Sequence, residues 1–287
     1  MKEIEIKIKK EYSGDEIKKV LKKELDISNK VLTKLKTFSD GITLNGKKAF
    51  VTVKVSENDI LKIRLYDKNS EKIIPSDIPL DIIFEDDDLL VLNKPRNMPT
   101  HPSLNHYTDT LANGVMNLYK DKNFTFRVIT RLDRDTSGIV IVAKNKLSAQ
   151  KLSLNMQKKE IKKEYYAICM NTLKNKSGRI DLPIKRVDGS GILREVNPLG
   201  KEAITDYEVV KEKDNLFLVK LNPLTGRTHQ LRVHLSYLGT PIIGDSLYGP
   251  FEKGEKTLLH CKKIKLNHPL TNQEMVFDAP FPCDMEF

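Results

Sequence analysis

The chain has 287 residues, 39% hydrophobic and 31% charged, enough for one large domain plus a smaller one. No window approaches the roughly eighteen consecutive apolar residues of a membrane span. The opening MKEIEIKIKK alternates charge with isoleucine, unlike a signal peptide, so a cytoplasmic protein with no membrane partner is expected. Lysine and arginine outnumber aspartate and glutamate by 49 to 39, a formal net charge of +10 that favours a polyanionic partner. Cys169, Cys261 and Cys283 are odd in number and lack C-x-x-C pairing, which argues against a disulfide framework and a zinc site.

In chain order, the period of two in Ile4, Ile6 and Ile8 predicts a half-buried strand. Ser13 and Glu16 read as a capping box ahead of Ile17, Val20, Leu21 and Leu25, one apolar face of a helix. A second helix is predicted from Ser28, burying Val31, Leu32 and Leu35 and carrying Lys30, Lys34 and Lys36 on its other face. Asn45-Gly46 marks a hairpin turn between two runs rich in β-branched residues, and DILKIRL supplies a further strand. The charged, proline-containing DKNSEKIIPSDIPLD, residues 67–81, reads as a connection between domains. Beyond it IIFEDDDLLVLNKP places an acidic turn between strands. The rest reads as strands with a few helices, and the Gly-, Asn- and Pro-rich stretch 171–203 reads as long loops or a hairpin.

Three clusters carry chemistry. Arg131-Leu132-Asp133-Arg134-Asp135-Thr136-Ser137-Gly138 precedes IVIVA, an apolar run of the kind found in strands buried on both faces. Nearby arginines would favour the charged form of a carboxylate at that strand's mouth, which suits nucleophilic attack. The plainer alternative is a salt-bridged turn in which Asp135, Thr136 and Ser137 satisfy backbone amides. In NPLTGRTHQLRVHLSYLG, Thr228 is expected to cap a helix through Leu231, Leu235 and Leu238 that stops at Gly239. That crowds Arg227, His229, Arg232 and His234 together, with the arginines placed for a phosphate or for the Asp133 carboxylate. The two histidines lack an acidic ligand pattern, so metal is rejected. In IKKEYYAICM, Lys163, Tyr165 and Ala167 share one strand face, where the tyrosine either stacks on an unpaired base or packs in the core.

Two resemblances follow. ISNKVLTKLKTFSDGITLNGKKAFVTVKVSENDILKI resembles the S-four-like RNA-binding domain, departing from it at Asn29, where arginine is usual, and at Asn58-Asp59 in place of Gly-Asp. This implies a small N-terminal α/β RNA-binding domain over residues 1–75, with Lys30, Lys34 and Lys36 as RNA contacts, then a linker over 76–82. The ordered blocks RLDRDTSG, KEYYA, KEAITDYEVV, LTGRTHQLRVHL, GTPIIGDSLYG and LLHCKKIKLNHPL span 83–287 and resemble the RluA family of RNA pseudouridine synthases.

The second resemblance implies an α+β pseudouridine synthase fold: a mixed, mainly antiparallel sheet flanked by helices and loops. It implies isomerisation of uridine to pseudouridine in structured RNA without cofactor or metal, by a monomer. Pairing with an S-four-like domain points to large-subunit ribosomal RNA. Asp133 would be the catalytic residue, capturing the ribose or assisting its deprotonation, and Arg131 would fill the space left by the flipped base. Tyr165 would stack on uracil, Arg232 would pair with the catalytic carboxylate, and Val233 would pack on uracil. Glu85 to Asp88 become a strand-entry turn, not a metal cluster. Thr130 stands where relatives have histidine and Cys261 where they have alanine, and both are expected to lie clear of the catalytic set. The competing readings are a catalytically silent RNA-binding or ribosome-assembly factor, a synthase acting on transfer RNA, and a glycoside hydrolase, which normally needs two carboxylates.

Overall fold

In the computed structural model, which describes residues 1–66, 73–171, 173 and 175–286, the alternating isoleucines form strand β1 (Lys2–Lys7). With β2 (Ile42–Leu44), β3 (Lys47–Lys48) and β4 (Ile60–Leu65) it makes an antiparallel sheet of order β1-β4-β2-β3. Helices α1 (Ile17–Leu25) and α2 (Asn29–Lys36) bury Ile17, Val20, Leu21, Leu32 and Leu35 against Leu61 and Ile63 of β4. Ser28 caps α2, its Oγ accepting from the Val31 amide at 3.3 Å. Asn45 and Gly46 both have positive φ, 49° and 79°, as a tight hairpin turn requires.

Two local expectations fail for one reason. The capping box at Ser13 and Glu16 is absent: Glu16 is the N-cap and its side chain caps nothing. The Ile17 and Lys18 amides donate instead to the Val53 and Val51 carbonyls, both at 2.9 Å. Those carbonyls lie in the run expected to continue the hairpin, so β3 ends at Lys48 and the chain crosses the start of α1.

The second unit is built on a nine-stranded, mainly antiparallel sheet, the α+β architecture expected. Its strands begin with β5 (Ile82–Glu85), β6 (Leu89–Lys94), β7 (Ser137–Ala143), β8 (Lys162–Met170) and β9 (Ser177–Asp181). A separate hairpin, β10 (Ile184–Arg186) and β11 (Arg194–Val196), projects from the 171–203 stretch. The sheet resumes with β12 (Ile204–Lys213), β13 (Leu216–Pro223), β14 (Leu259–Asn267) and β15 (Glu274–Asp278). The order is β5-β6-β7-β14-β8-β13-β12-β9, with β15 on β14. Helices α3 (Leu111–Leu118), α4 (Lys146–Gln157) and α5 (Gln230–Tyr237) complete the unit. No helix among the described residues is long and apolar enough to cross a membrane.

Strand β7 is buried along its whole length, as IVIVA implied. It runs parallel to β14, with Gly138 opposite Cys261. Gly138 has φ +110°, and a Cβ there would lie 2.3 Å from the Cys261 carbonyl oxygen. Only glycine fits both constraints. Gly138→Ala is therefore expected to lower stability by at least about 2 kcal/mol in urea unfolding, through backbone strain plus overpacking.

The stretch 76–82, expected as a linker, is laid against the second unit: the Ser76 amide donates to the Asn113 carbonyl at 3.2 Å and the Asn93 amide to the Asp81 carbonyl at 2.9 Å. Residues 67–72 lie outside those described. The N-terminal unit docks on α4, whose Leu147 is buried in its core. Gln150 accepts from the Ser28 amide at 3.0 Å and donates to the Asp26 carbonyl at 2.7 Å. Lys2 Nζ reaches Asp88 at 3.1 Å. Burial works to raise the Asp88 pKa, but hydrogen bonds from Ser148, Asn145 and Lys2 outweigh it and hold the carboxyl below its ordinary value.

Asp86 Oδ1 accepts from the Asp88 and Leu89 amides at 2.7 Å each, the strand-entry turn expected. Asp86, Asp88 and His268 converge there. His268 Nδ1 accepts from the Thr271 amide at 3.1 Å, and its Nε2 lies 3.1 Å from Asp86.

Candidate active site

The loop before β7 is pinned from several sides. Thr100 Oγ1 donates to the Leu132 carbonyl at 2.8 Å, and Thr130 Oγ1 accepts from the Ile141 amide at 2.9 Å. Lys94, fully buried at the end of β6, donates to the carbonyls of Pro95, Met98 and Arg134 at 2.8, 2.8 and 3.1 Å. Burial draws its pKa down to about 7, opposed by the charges of Asp133 and Asp135. The loop is thus set on a buried amine with three oxygen partners.

The two aspartates part company. Asp135 pairs with Arg134 at 2.8 Å, a turn interaction. Asp133 faces a cavity of about 440 Å³, where it is the one carboxylate among the described lining residues. Arg232 is 2% exposed and places Nη1 3.8 Å from Asp133 Oδ2. Its hydrogen bonds go elsewhere: Nε and Nη2 grip Asp245 at 2.7 and 2.6 Å, and the guanidinium lies 5.3 Å from the Tyr248 ring centre. Burial works against the Arg232 charge, but Asp245 and then Asp133 more than offset it and raise its pKa. The arginine expected to pair with Asp133 is therefore a fixed cation beside it, clamped by a second acid.

Tyr165 and Lys163 line the same cavity from β8. Burial, then Cys261 and Asp133, raise the Tyr165 pKa, so the phenol is protonated at neutral pH. Burial lowers the Lys163 pKa. Cys261, its thiol pushed up to about 12 by burial, hydrogen-bonds Tyr165. Cys261, opposite Tyr165 in the β14–β8 pairing, thus lies against one residue of the proposed set it was expected to avoid, while Thr130 lines the cavity. Thr130 serves the loop backbone, as its bond from Ile141 records.

Arg131 is exposed at the cavity's edge. Val233 is not in the cavity: it is buried with Ile184 and Ala203. Successive helical residues turn by about 100°, so Leu231 and Val233 point to nearly opposite sides, and Leu231 is the one lining the site. Thr228 does not cap α5; His229, with φ 57°, is the N-cap residue, and Gln230 Oε1 accepts from the Arg227 amide at 3.0 Å. His234 faces away, bonded to Thr205 and the Leu182 carbonyl, each at 3.0 Å. Lys30 and Lys36 are exposed on α2, and Lys34 lies 5.6 Å from the Phe38 ring centre, all outside the cavity.

Asp245 and Lys94 were missed. Lys94 shares the buried period of Leu90 and Leu92, a strand pattern that implies an interior lysine. Asp245 had no such local signal.

Below the loop, Ser137 Oγ meets His260 Nδ1 at 2.9 Å. Burial pushes the fully buried His260 down to about 4. Its folded pKa is depressed, so the unfolded chain binds more protons between about pH 6.5 and 4, and stability falls on acidification through that window. Urea midpoints are expected to drop across it, and less steeply in His260→Phe.

A carboxylate at a strand's mouth, a buried guanidinium beside it and a tyrosine opposite, on a mainly antiparallel sheet, define an enzyme of the pseudouridine synthase fold. The profile of the RNA pseudouridylate synthase family matches residues 88–237. An uncharacterised RNA pseudouridine synthase of Bacillus subtilis, YjbO, is 37% identical over 280 residues, 96% of each chain. Ribosomal large subunit pseudouridine synthase D of Vibrio parahaemolyticus is 37% identical over 235 residues, covering 76% of this chain and 72% of its own. The solved structure of human RNA pseudouridylate synthase domain containing 1 aligns with TM-score 0.60 at 27% identity, over 71% of this chain and 84% of its own. The chain belongs to the RNA pseudouridine synthase family and is an isomerase of RNA uridine.

Proposed function

We propose that this enzyme converts specific uridines of large-subunit ribosomal RNA to pseudouridine, with Asp133 as its catalytic carboxylate and no cofactor, as a cytoplasmic monomer. The observation that carries this is Asp133, the one carboxylate among the described cavity-lining residues, 3.8 Å from a guanidinium already clamped by Asp245. The fixed cation beside it holds the carboxylate toward the cavity, where it captures the ribose or assists its deprotonation. Tyr165 stacks on the uracil while the N1 to C1′ bond breaks; C1′ then bonds to C5, which gives up its proton, and N1 takes one up. Leu231 closes the base pocket in place of Val233. Extruding the base costs a few kcal/mol, and exposed Arg131 fills the gap it leaves.

The ribosomal target is supported by the relatives that act on the large subunit, such as the Vibrio enzyme. An N-terminal S-four-like domain, residues 1–75, with Lys30, Lys34 and Lys36 toward RNA, fits the same reading. Cavities flanking the site add cations: Lys159 and Lys162 on one side, Lys185, Arg194 and Lys201 on the other. RNA affinity is therefore expected to fall steeply with salt, linearly in log–log form, as phosphate contacts release counterions. A flat salt profile contradicts a phosphate-led interface. Mapping pseudouridines in ribosomal RNA from a deletion strain and its parent tests the target: a position modified only in the parent supports it, and identical maps refute it.

A further inference from the structure

His229 is held in an unusual way. It sits at φ 57° and ψ 19°, a left-handed conformation uncommon outside glycine, and its side chain caps nothing at the start of α5. Such strain persists where the surroundings fix it, commonly at ligand sites. Here the fixing group is Tyr248, whose OH lies 2.7 Å from His229 Nδ1 with the rings edge to face.

That contact sets the tautomer. The Tyr248 oxygen accepts from the Arg194 amide at 3.0 Å. Burial raises the Tyr248 pKa, so the phenol keeps its proton, and among the described residues the nearest acceptor for that proton is His229 Nδ1. Burial lowers the His229 pKa against the pull of Asp133, keeping the ring neutral. Nδ1 is then an acceptor and Nε2 carries the hydrogen. Tyr248 does not line the cavity and His229 does, so the ring edge away from Tyr248 faces the space shared with Asp133.

Beside the Arg131, Lys163, Arg227 and Arg232 cations the cavity thus offers one neutral ring donor, His229 Nε2–H, and, among the described lining residues, one carboxylate that only accepts, Asp133. A donor and an acceptor converging on one space match a hydroxyl, which gives one hydrogen bond and takes another. Within an RNA strand the 3′ and 5′ oxygens are esterified, leaving the 2′-OH as the free ribose hydroxyl. We infer that His229 and Asp133 together bind the 2′-OH of the target nucleotide, making His229 the residue that selects ribose over deoxyribose. This rests on the proposed role of Asp133 in RNA uridine isomerisation.

The test uses single-turnover reactions of the full chain on an RNA fragment carrying the mapped uridine, with the ribose or 2′-deoxyribose form at that position alone. Wild type is expected to react about tenfold slower or more on the deoxy form, one hydrogen bond's worth. His229→Leu should lose a similar factor on the ribose form and discriminate little between the two. Intrinsic reactivity of the deoxy sugar is common to both enzymes and cancels in the ratio. His229→Gln, which keeps a donor at the same reach, should recover discrimination, and Tyr248→Phe, which frees the tautomer, should fall between. Unfolding midpoints of all variants separate loss of contact from loss of fold. Equal discrimination by wild type, His229→Leu and Tyr248→Phe overturns the inference and leaves the role of Asp133 standing. Absence of pseudouridine formation by wild type on every RNA overturns both.

Discussion

Asp133→Asn is expected to slow pseudouridine formation by at least about a thousandfold, the scale seen when an essential reacting group is removed. Its unfolding midpoint should match wild type. The side chain is 28% exposed and its ion pair with Arg232 is a long 3.8 Å contact, while Arg232 keeps both of its hydrogen bonds to Asp245. RNA binding should hold or strengthen, since a negative charge facing phosphate is lost. Single-turnover rates, filter binding and urea melts check the three parts. Activity within tenfold of wild type would show that Asp133 is not the catalytic group.

Asp245→Asn should damage stability and catalysis together. Arg232 and Asp245 are 2% and 1% exposed, and breaking a buried pair by removing one charge costs about 3–5 kcal/mol because the other is stranded. The Leu247 and Tyr248 amides also lean on Asp245 Oδ1, at 3.1 and 3.3 Å. A freed guanidinium would close the 3.8 Å gap to Asp133 and blunt it as a nucleophile. Urea unfolding should therefore lose several kcal/mol, and the rate should fall about tenfold or more at temperatures where the variant is folded. An unchanged midpoint would mean that the clamp is not what holds Arg232.

Much of this was legible in the residues. Hydrophobic periodicity identified β1, α2 and the fully buried β7, because those patterns reflect burial that the fold honours. Only the family resemblance, not the residues alone, set Asp133 apart from Asp135, and the geometry gives each a distinct partner. What failed involved partners distant in sequence. The start of α1 is satisfied by carbonyls from residues 51 and 53, which no local capping pattern reveals. The second partner of Arg232, Asp245, lies 13 residues on, across a turn, beyond the Asp133 pairing that was expected. Val233 was assigned from a motif, yet the helical turn that aims Arg232 and Leu231 into the cavity carries Val233 away from it.

The most direct measurement is conversion of unmodified ribosomal RNA transcripts by the purified chain, read out by chemical mapping of pseudouridine at each position. Conversion of one or a few uridines of the large-subunit transcript to completion, without added metal or cofactor, is the result predicted. Failure to form pseudouridine in any ribosomal or transfer RNA, with folded protein in excess, would contradict it.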